Sequence, residues 1–479
     1  MNDFIGAATV TRASRRAAHL KTLRIAIAIL AVLISIATAV GAAGRHRDHH
    51  RRHAQPATAT PKPTPAIVMR PMVLVTGGTG TISVPTGDSP AILDSAELYD
   101  TVSGRFTSVA PMTAHRDRHV AALLRDGRVL IVGGVDTVLV PMIVFPGPAM
   151  PSILSSTEIF DPANGSFGAA AAMATARDVP TATQIVGGKV LVAGGGGNGA
   201  ELYDGRAKKF SATGNMTESH YGQTATMLPD GHVLMAGGGE AVAEIYNPAT
   251  GKFSRTGAMS TNRIYHTATL LKDGRVLIAG GSPYARSGAL DTTEFYTPKT
   301  GQFSAGPKMK QTRAGHTATL LNDGRVLIAG GHGDTSAEIY NPATNSFAAT
   351  APMGVSRYGH SASLLPDGKV LIAGGWDANY KPLASTELFD PASGKFTPAA
   401  SMENARAGHT ATLMSVRWPA PWLKPSPTPT PSATAPPTLT PSPSASATPT
   451  STPSSIPTRS PTASAPNVPQ APSPKRFAN

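Results

Sequence analysis

Seven copies of one pattern fill residues 71–414, and a chain that repeats itself at a period of about 40–50 residues folds as an array of like units. The clearest copy runs from Ala243 to Gly281, AEIYNPATGKFSRTGAMSTNRIYHTATLLKDGRVLIAGG. Other copies close on Gly77-Gly78, Gly133-Gly134, Gly194-Gly195, Gly237-Gly238, Gly330-Gly331 and Gly374-Gly375. Within a copy, His266–Leu271 and Arg275–Ala279 are short β-prone runs joined at Lys272-Asp273-Gly274. An Asp-Gly tip predicts a tight primed hairpin turn, which needs positive φ. The tip recurs at Asp126-Gly127, Asp230-Gly231, Asp323-Gly324 and Asp367-Gly368, with Gly187-Gly188 standing in once. Ala243–Tyr246 reads as a third strand, Asn247–Gly251 as a Pro/Gly turn, and Lys252–Ser254 as a fourth strand. No stretch has the apolar spacing of an amphipathic helix.

Each unit is therefore a four-stranded blade, and the expected fold is an all-β, seven-bladed propeller over residues 71–415. Counting strands a to d outward from the axis, the first unit begins at strand b, Met72–Thr76. The last strand is an extra a, His409–Met414. Pairing these two closes the ring and leaves no open edge. The glycine pair, the Glu-aliphatic-Tyr/Phe strand and the Met-x3-Arg-x2-His segment resemble the bacterial kelch repeat, related to the repeats in the central domain of galactose oxidase. The resemblance covers residues 71–414. It implies a kelch-type propeller, and it brings in the question of an enzyme.

A copper-radical oxidase of that family needs a tyrosine cross-linked to cysteine and a ligand from a further C-terminal domain. The chain has no cysteine, and nothing after Met414 reads as a foldable domain, so that chemistry is excluded. The lack of cysteine also excludes disulfides and thiolate metal sites. There is no His-Glu-x-x-His, no Gly-x-Ser-x-Gly and no P-loop. The expectation is a protein with no cofactor, more readily a binder than an enzyme.

The net charge of +13 invites a nucleic-acid reading, but its distribution argues otherwise. The segments outside residues 71–415 carry +14, which leaves the propeller at −1. A near-neutral domain offers no electrostatic footprint for a phosphate backbone. The expected partner is a glycan or a surface protein, bound by a monomer.

Ile25–Ala43 is an uncharged apolar run of about the length that spans hydrocarbon, with the basic residues 1–24 before it. Arginines just beyond it favour an uncleaved transmembrane anchor with an inside N-terminus. The alternative is a cleaved signal peptide ending near Ala37-Thr38-Ala39. Either way the propeller is expected outside the cell. Residues 44–70 read as a basic, then Pro/Thr-rich stalk. Its segment RHRDHHRRH reads as a juxtamembrane patch for anionic surfaces rather than as a metal site. Residues 416–479, dominated by Pro, Ser, Thr and Ala, read as a disordered tail.

Strand direction places the a–b and c–d turns on one face and the b–c and d–a connections on the other. The first face is stereotyped. The second carries the length variation, with long b–c loops at 79–95, 135–157, 282–293 and 376–386, and variable loops on a rigid scaffold are where binding concentrates. The nominated binding residues are Trp376, Asp377, Tyr380, Tyr284, Arg286, His332, Asp334 and Asp136. Aromatics beside carboxylates suit sugar rings, by stacking and edge hydrogen bonds. Asp136, Asp334 and Asp377 are the acid/base candidates if the protein is instead a sugar-acting enzyme of epimerase type. A structural envelope protein is the third reading. The apolar stretch Val138–Leu154 reads as a cap over the channel or a sticky patch.

Residues that recur in every unit read as scaffold. The third-strand glutamates Glu97, Glu158, Glu201, Glu244, Glu294, Glu338 and Glu387 are expected to pair with Arg116, Arg177, Arg263, Arg313, Arg357 and Arg406, since a buried carboxylate needs a partner. His119, His266, His316, His360 and His409 open five inner strands. One per blade, they are spaced too widely for a shared metal at coordination distances of ~2.1 Å.

Overall fold

The computed structural model describes residues 67–84, 87–138, 150–284, 287–331 and 333–423. The expected membrane segment and most of the stalk and tail lie outside them. Among the described residues no helix is long and apolar enough to cross a membrane.

Seven four-stranded antiparallel sheets form a closed propeller. Blade five shows the unit: strand a is Thr267–Leu270, b is Val276–Ala279, c is Thr293–Thr297 and d is Gln302–Ala305. Strand b is apolar and fully buried, because blades stack on both of its sides. The core is correspondingly divided into layers between neighbouring blades. Leu271, Leu277, Phe295 and Met309 of blade five and the connection that follows it meet Val326, Ile328, Tyr340 and Phe347 of blade six.

Blade one closes the ring from both chain ends. Its a strand, Thr410–Trp418, pairs with its b strand, Val68–Thr76, from Thr76 opposite Thr410 to Val68 opposite Trp418. Val73, Val75 and Tyr99 then pack against Leu365, Leu371 and Ala373 of blade seven. Both strands run beyond the expected limits of 71 and 415, and the packed chain continues to Leu423. Trp422 lies edge-on to Phe160, 6.4 Å between ring centroids, over Gly165, where any side chain would collide with its ring.

The a–b turns depart from the primed geometry. Gly274 alone has a positive φ, of 86°. Its N–H donates to the Leu271 carbonyl at 3.0 Å, and the Leu271 N–H donates to the Arg275 carbonyl at 2.8 Å. This is a type I turn followed by a glycine bulge. Asp273 contributes through its carboxylate, which accepts the Arg275 N–H at 3.0 Å.

Candidate functional site

Two rings of polar side chains set the frame around the axis. In six blades the repeat arginine is fully buried against the glutamate of strand c. Arg313 donates through Nε and Nη2 to Glu338 Oε1 at 3.1 and 3.0 Å, and through Nη1 to the Gly330 and Ser336 carbonyls at 2.7 and 2.9 Å. Glu338 also accepts the backbone N–H groups of Lys310 and Gln311. Such saturation is what makes a buried ion pair tolerable. The same pairing joins Arg116 to Glu158, Arg177 to Glu201, Arg263 to Glu294, Arg357 to Glu387 and Arg406 to Glu97. Glu244 is the exception, because His220 stands where the arginine would be and reaches it at 3.1 Å.

The inner histidines form the second ring. His266, His316, His360 and His409 bond through Nε2 to Thr224, Thr267, Thr317 and Ser361 of the preceding blade. His119 bonds to Thr76 and Thr410. Burial pulls His119, His266, His316 and His360 down to about 3. They are neutral struts. Among the described residues no group of three or more His, Cys, Asp or Glu side chains is arranged to hold a metal ion.

The nominated loop residues divide into turn-builders and exposed aromatics. Asp377 accepts the N–H groups of Asn379 and Lys381, at 2.8 and 2.9 Å, and so shapes its own loop. Asp334 accepts the Ser336 N–H at 2.9 Å, and Ser336 Oγ accepts from Arg313, so Asp334 buttresses the buried pair. Asp136 lies 3.9 Å from His115. These three carboxylates do not converge. Trp376 is half-buried and exchanges both backbone hydrogen bonds with Tyr358. Tyr380 is 74% exposed and meets Tyr358 edge to face at 5.9 Å. Tyr284 is 61% exposed. Arg286, His332 and the middle of the apolar 138–154 loop lie outside the described residues.

A second cluster lies in the d–a connections. The residue before the inner-strand histidine, or before Pro180 and Gln223 where these replace it, takes a left-handed conformation in all seven connections. Glycine fills it at Gly222, Gly315, Gly359 and Gly408, but Arg118, Val179 and Tyr265 fill the others, with φ of 55°, 53° and 54°. Backbone bonds run round the axis from one such residue to the next: Tyr265 to Gly222, Gly315 to Tyr265, Gly359 to Gly315, Gly408 to Gly359 and Arg118 to Gly408. At Val179, among the described residues, the run is broken.

In that gap Arg118 reaches Asp178 at 3.2 Å through Nη2 and the Tyr221 hydroxyl at 3.2 Å through Nη1, while Tyr221 donates to Asp178 at 3.2 Å. Asp117 lies 3.7 Å from Arg118 on the other side. Burial pushes the Asp117 carboxyl up to about 6, against the pull of Arg118. Burial, then Tyr265 and Asp178, raise the Tyr221 phenol. Asp178 Oδ1 and Arg118 Nε are buried without a hydrogen-bond partner. The channel beneath holds a recess of about 360 Å³ lined by Thr181, Thr183, Ala225, Thr410 and Thr412. The signal for this cluster was substitution at constant length: Asp117-Arg118 and Asp178-Val179-Pro180 stand where other connections have sequences such as Ala314-Gly315-His316 and Ala407-Gly408-His409.

The kelch motif matches residues 357–403. Among solved structures, the chain is similar to a fungal alcohol oxidase of the AA5 family in complex with copper. The TM-score is 0.51 at 16% identity, over 74% of this chain and 98% of that one. At that identity the likeness speaks for the fold alone. The chain has no cysteine, and among the described residues the five inner histidines bond to hydroxyl groups. No curated protein matches the chain. The protein is a seven-bladed β-propeller that carries a kelch motif at residues 357–403.

Proposed function

We propose that the protein is an outward-facing binding module, anchored at the cell surface through residues 25–43, that takes up a glycan on its variable face. One observation carries this reading. Of the ten tyrosines, Tyr99, Tyr203, Tyr246, Tyr296 and Tyr340 are buried in strand c, and the other five are in the b–c and d–a connections. Tyr221, Tyr265, Tyr284 and Tyr380 among these are exposed, and they are the only exposed aromatic side chains among the described residues. Aromatic faces beside Arg118 and Asp178 provide both stacking and hydrogen bonds for a sugar ring. The recess beneath is of ligand size.

A glycan array probed with the full chain and with Tyr221→Ala and Tyr380→Ala tests the reading. Binding that these changes abolish supports it. Binding untouched by both, or captured equally by a face-neutral control, argues against it. A sugar-acting enzyme is the second reading, favoured by Asp117, whose carboxyl at about 6 is poised to exchange a proton near neutral pH. Turnover of any sugar that Asp117→Asn abolishes decides for it.

A further inference from the structure

The face opposite the variable loops has its own chemistry. The chain comes into the propeller and leaves it side by side there, since Val68 pairs with Trp418. Ile67, Val68 and Met69 are three consecutive apolar residues, 56%, 52% and 63% exposed. Beside them Arg70 lies over the Trp418 ring at 4.3 Å. A recess of about 440 Å³ opens between Met72, Leu98, Trp418 and Leu423.

The charge of this face is also one-sided. The a–b turns carry Arg125, Arg128, Lys189, Lys272, Arg275, Arg325 and Lys369 against five aspartates, and bases outnumber acids in the c–d turns too. Arg70 and Arg417 add to them. Because residues 71–415 together are at −1, the excess of acid lies elsewhere on the propeller, and the turn face alone is basic.

We propose that the turn face is a seat for an anionic lipid bilayer, with Ile67, Val68 and Met69 entering the headgroup boundary and the basic turns facing the phosphates. An apolar edge ringed by arginine and tryptophan is the composition that partitions into that boundary. The chain outside the propeller supports the choice of occupant. Residues 44–66 separate the apolar run from Ile67, and a chain of that length reaches ~80 Å at most. The bilayer is thereby kept at high effective concentration next to this face. The seat points the tyrosine-bearing face away from the membrane. It rests on the reading of residues 25–43 as an anchor.

The chain's three tryptophans make the test direct, because Trp376 lies on the variable face and Trp418 and Trp422 on the turn face. The full chain is reconstituted in vesicles of mixed anionic and neutral lipids brominated on their acyl chains. Trp376→Phe leaves the turn-face pair as the only emitters, and their emission is expected to be quenched relative to unbrominated vesicles. Ile67→Ser/Val68→Ser/Met69→Ser is expected to lose most of that quenching while still floating with the vesicles. A Trp418→Phe/Trp422→Phe chain is expected to show no quenching of Trp376. A chain that floats without quenching of the turn-face pair overturns the seat and leaves the anchor standing. A chain that neither floats nor is quenched overturns both.

Discussion

From Tyr265 round to Gly408 the connections at the axis each lead into an inner-strand histidine, whereas from Arg118 to Gly222 they read Asp117-Arg118-His119, Asp178-Val179-Pro180 and Tyr221-Gly222-Gln223. The regular half has left-handed glycines, or Tyr265, joined by a run of backbone hydrogen bonds and backed by histidine–hydroxyl struts. In the divergent half Pro180 and Gln223 replace two of the histidines, His220 replaces an arginine, and Arg118 and Val179 take a conformation that disfavours side chains. Asp178 Oδ1, Arg118 Nε and Gln223 Oε1 are buried there without a hydrogen-bond partner, as are the Nδ1 atoms of His266, His316, His360 and His409 in the regular half. The grouping of Arg118, Asp178 and Tyr221 contacts in one sector is the pattern expected of a functional site.

The largest expected effect breaks the regular half. Arg313→Ala leaves Glu338 buried without its cation and should lower unfolding free energy by about 3–5 kcal/mol, read by denaturant titration, with ligand binding unchanged at temperatures where the variant is folded. Glu338→Gln should lower stability less, since the amide still accepts from Arg313. A loss below about 1 kcal/mol for Arg313→Ala would mean the ring of pairs is dispensable.

Next in size is the response to pH. The inner histidines are held neutral by burial at about 3, so the unfolded chain binds protons that the fold refuses. Stability should therefore fall as pH drops from about 6.5 toward 3. His220 works in the opposite sense. Burial would lower it, but its bonds to Glu244 and the Gly237 carbonyl prevail and raise it. Its contribution is complete below its ordinary value and lost as pH rises through the raised one. Replacing His316 with Gln should shallow the acid limb of a stability–pH profile, whereas His220→Gln should flatten the weaker decline on the alkaline side. Identical profiles for the two variants would erase the distinction between the two histidines.

A smaller effect compares two tyrosines. Tyr246 is fully buried, and its hydroxyl bonds Thr213 at 2.9 Å. Tyr246→Phe should cost about 1 kcal/mol, whereas Tyr380→Phe on the exposed face should change the melting temperature little.

Much of this architecture was legible in the repeat. The Asp-Gly tips, the Asn/Asp-Pro turns and the unpaired first b and last a strands point to blades and to ring closure, because those features act locally or by simple counting. The turn type was misread because Asp273 was credited with backbone strain that Gly274 carries alone. The end of the fold near residue 415 was misread because a Pro-rich composition concealed Trp418 and Trp422, whose packing depends on Arg70 and Gly165 far away in sequence. The site was harder still. Trp376, Asp377 and Asp334 stood out as loop residues, yet Asp377 and Asp334 serve their own turns and Trp376 packs on the neighbouring connection. Asp117, Arg118, Asp178 and Tyr221 come together from three consecutive connections of ordinary length, and only the curvature of the ring brings Arg118 within reach of Tyr221.

Arg118→Gly tests the central contrast most directly, with ligand titration and thermal melting performed on the same preparation. Glycine relieves the left-handed strain, worth about 1 kcal/mol, so the melting temperature should hold or rise while glycan affinity falls at least tenfold. Unchanged affinity, or a melting temperature that collapses with it, would show that the divergent sector is part of the scaffold and not the site.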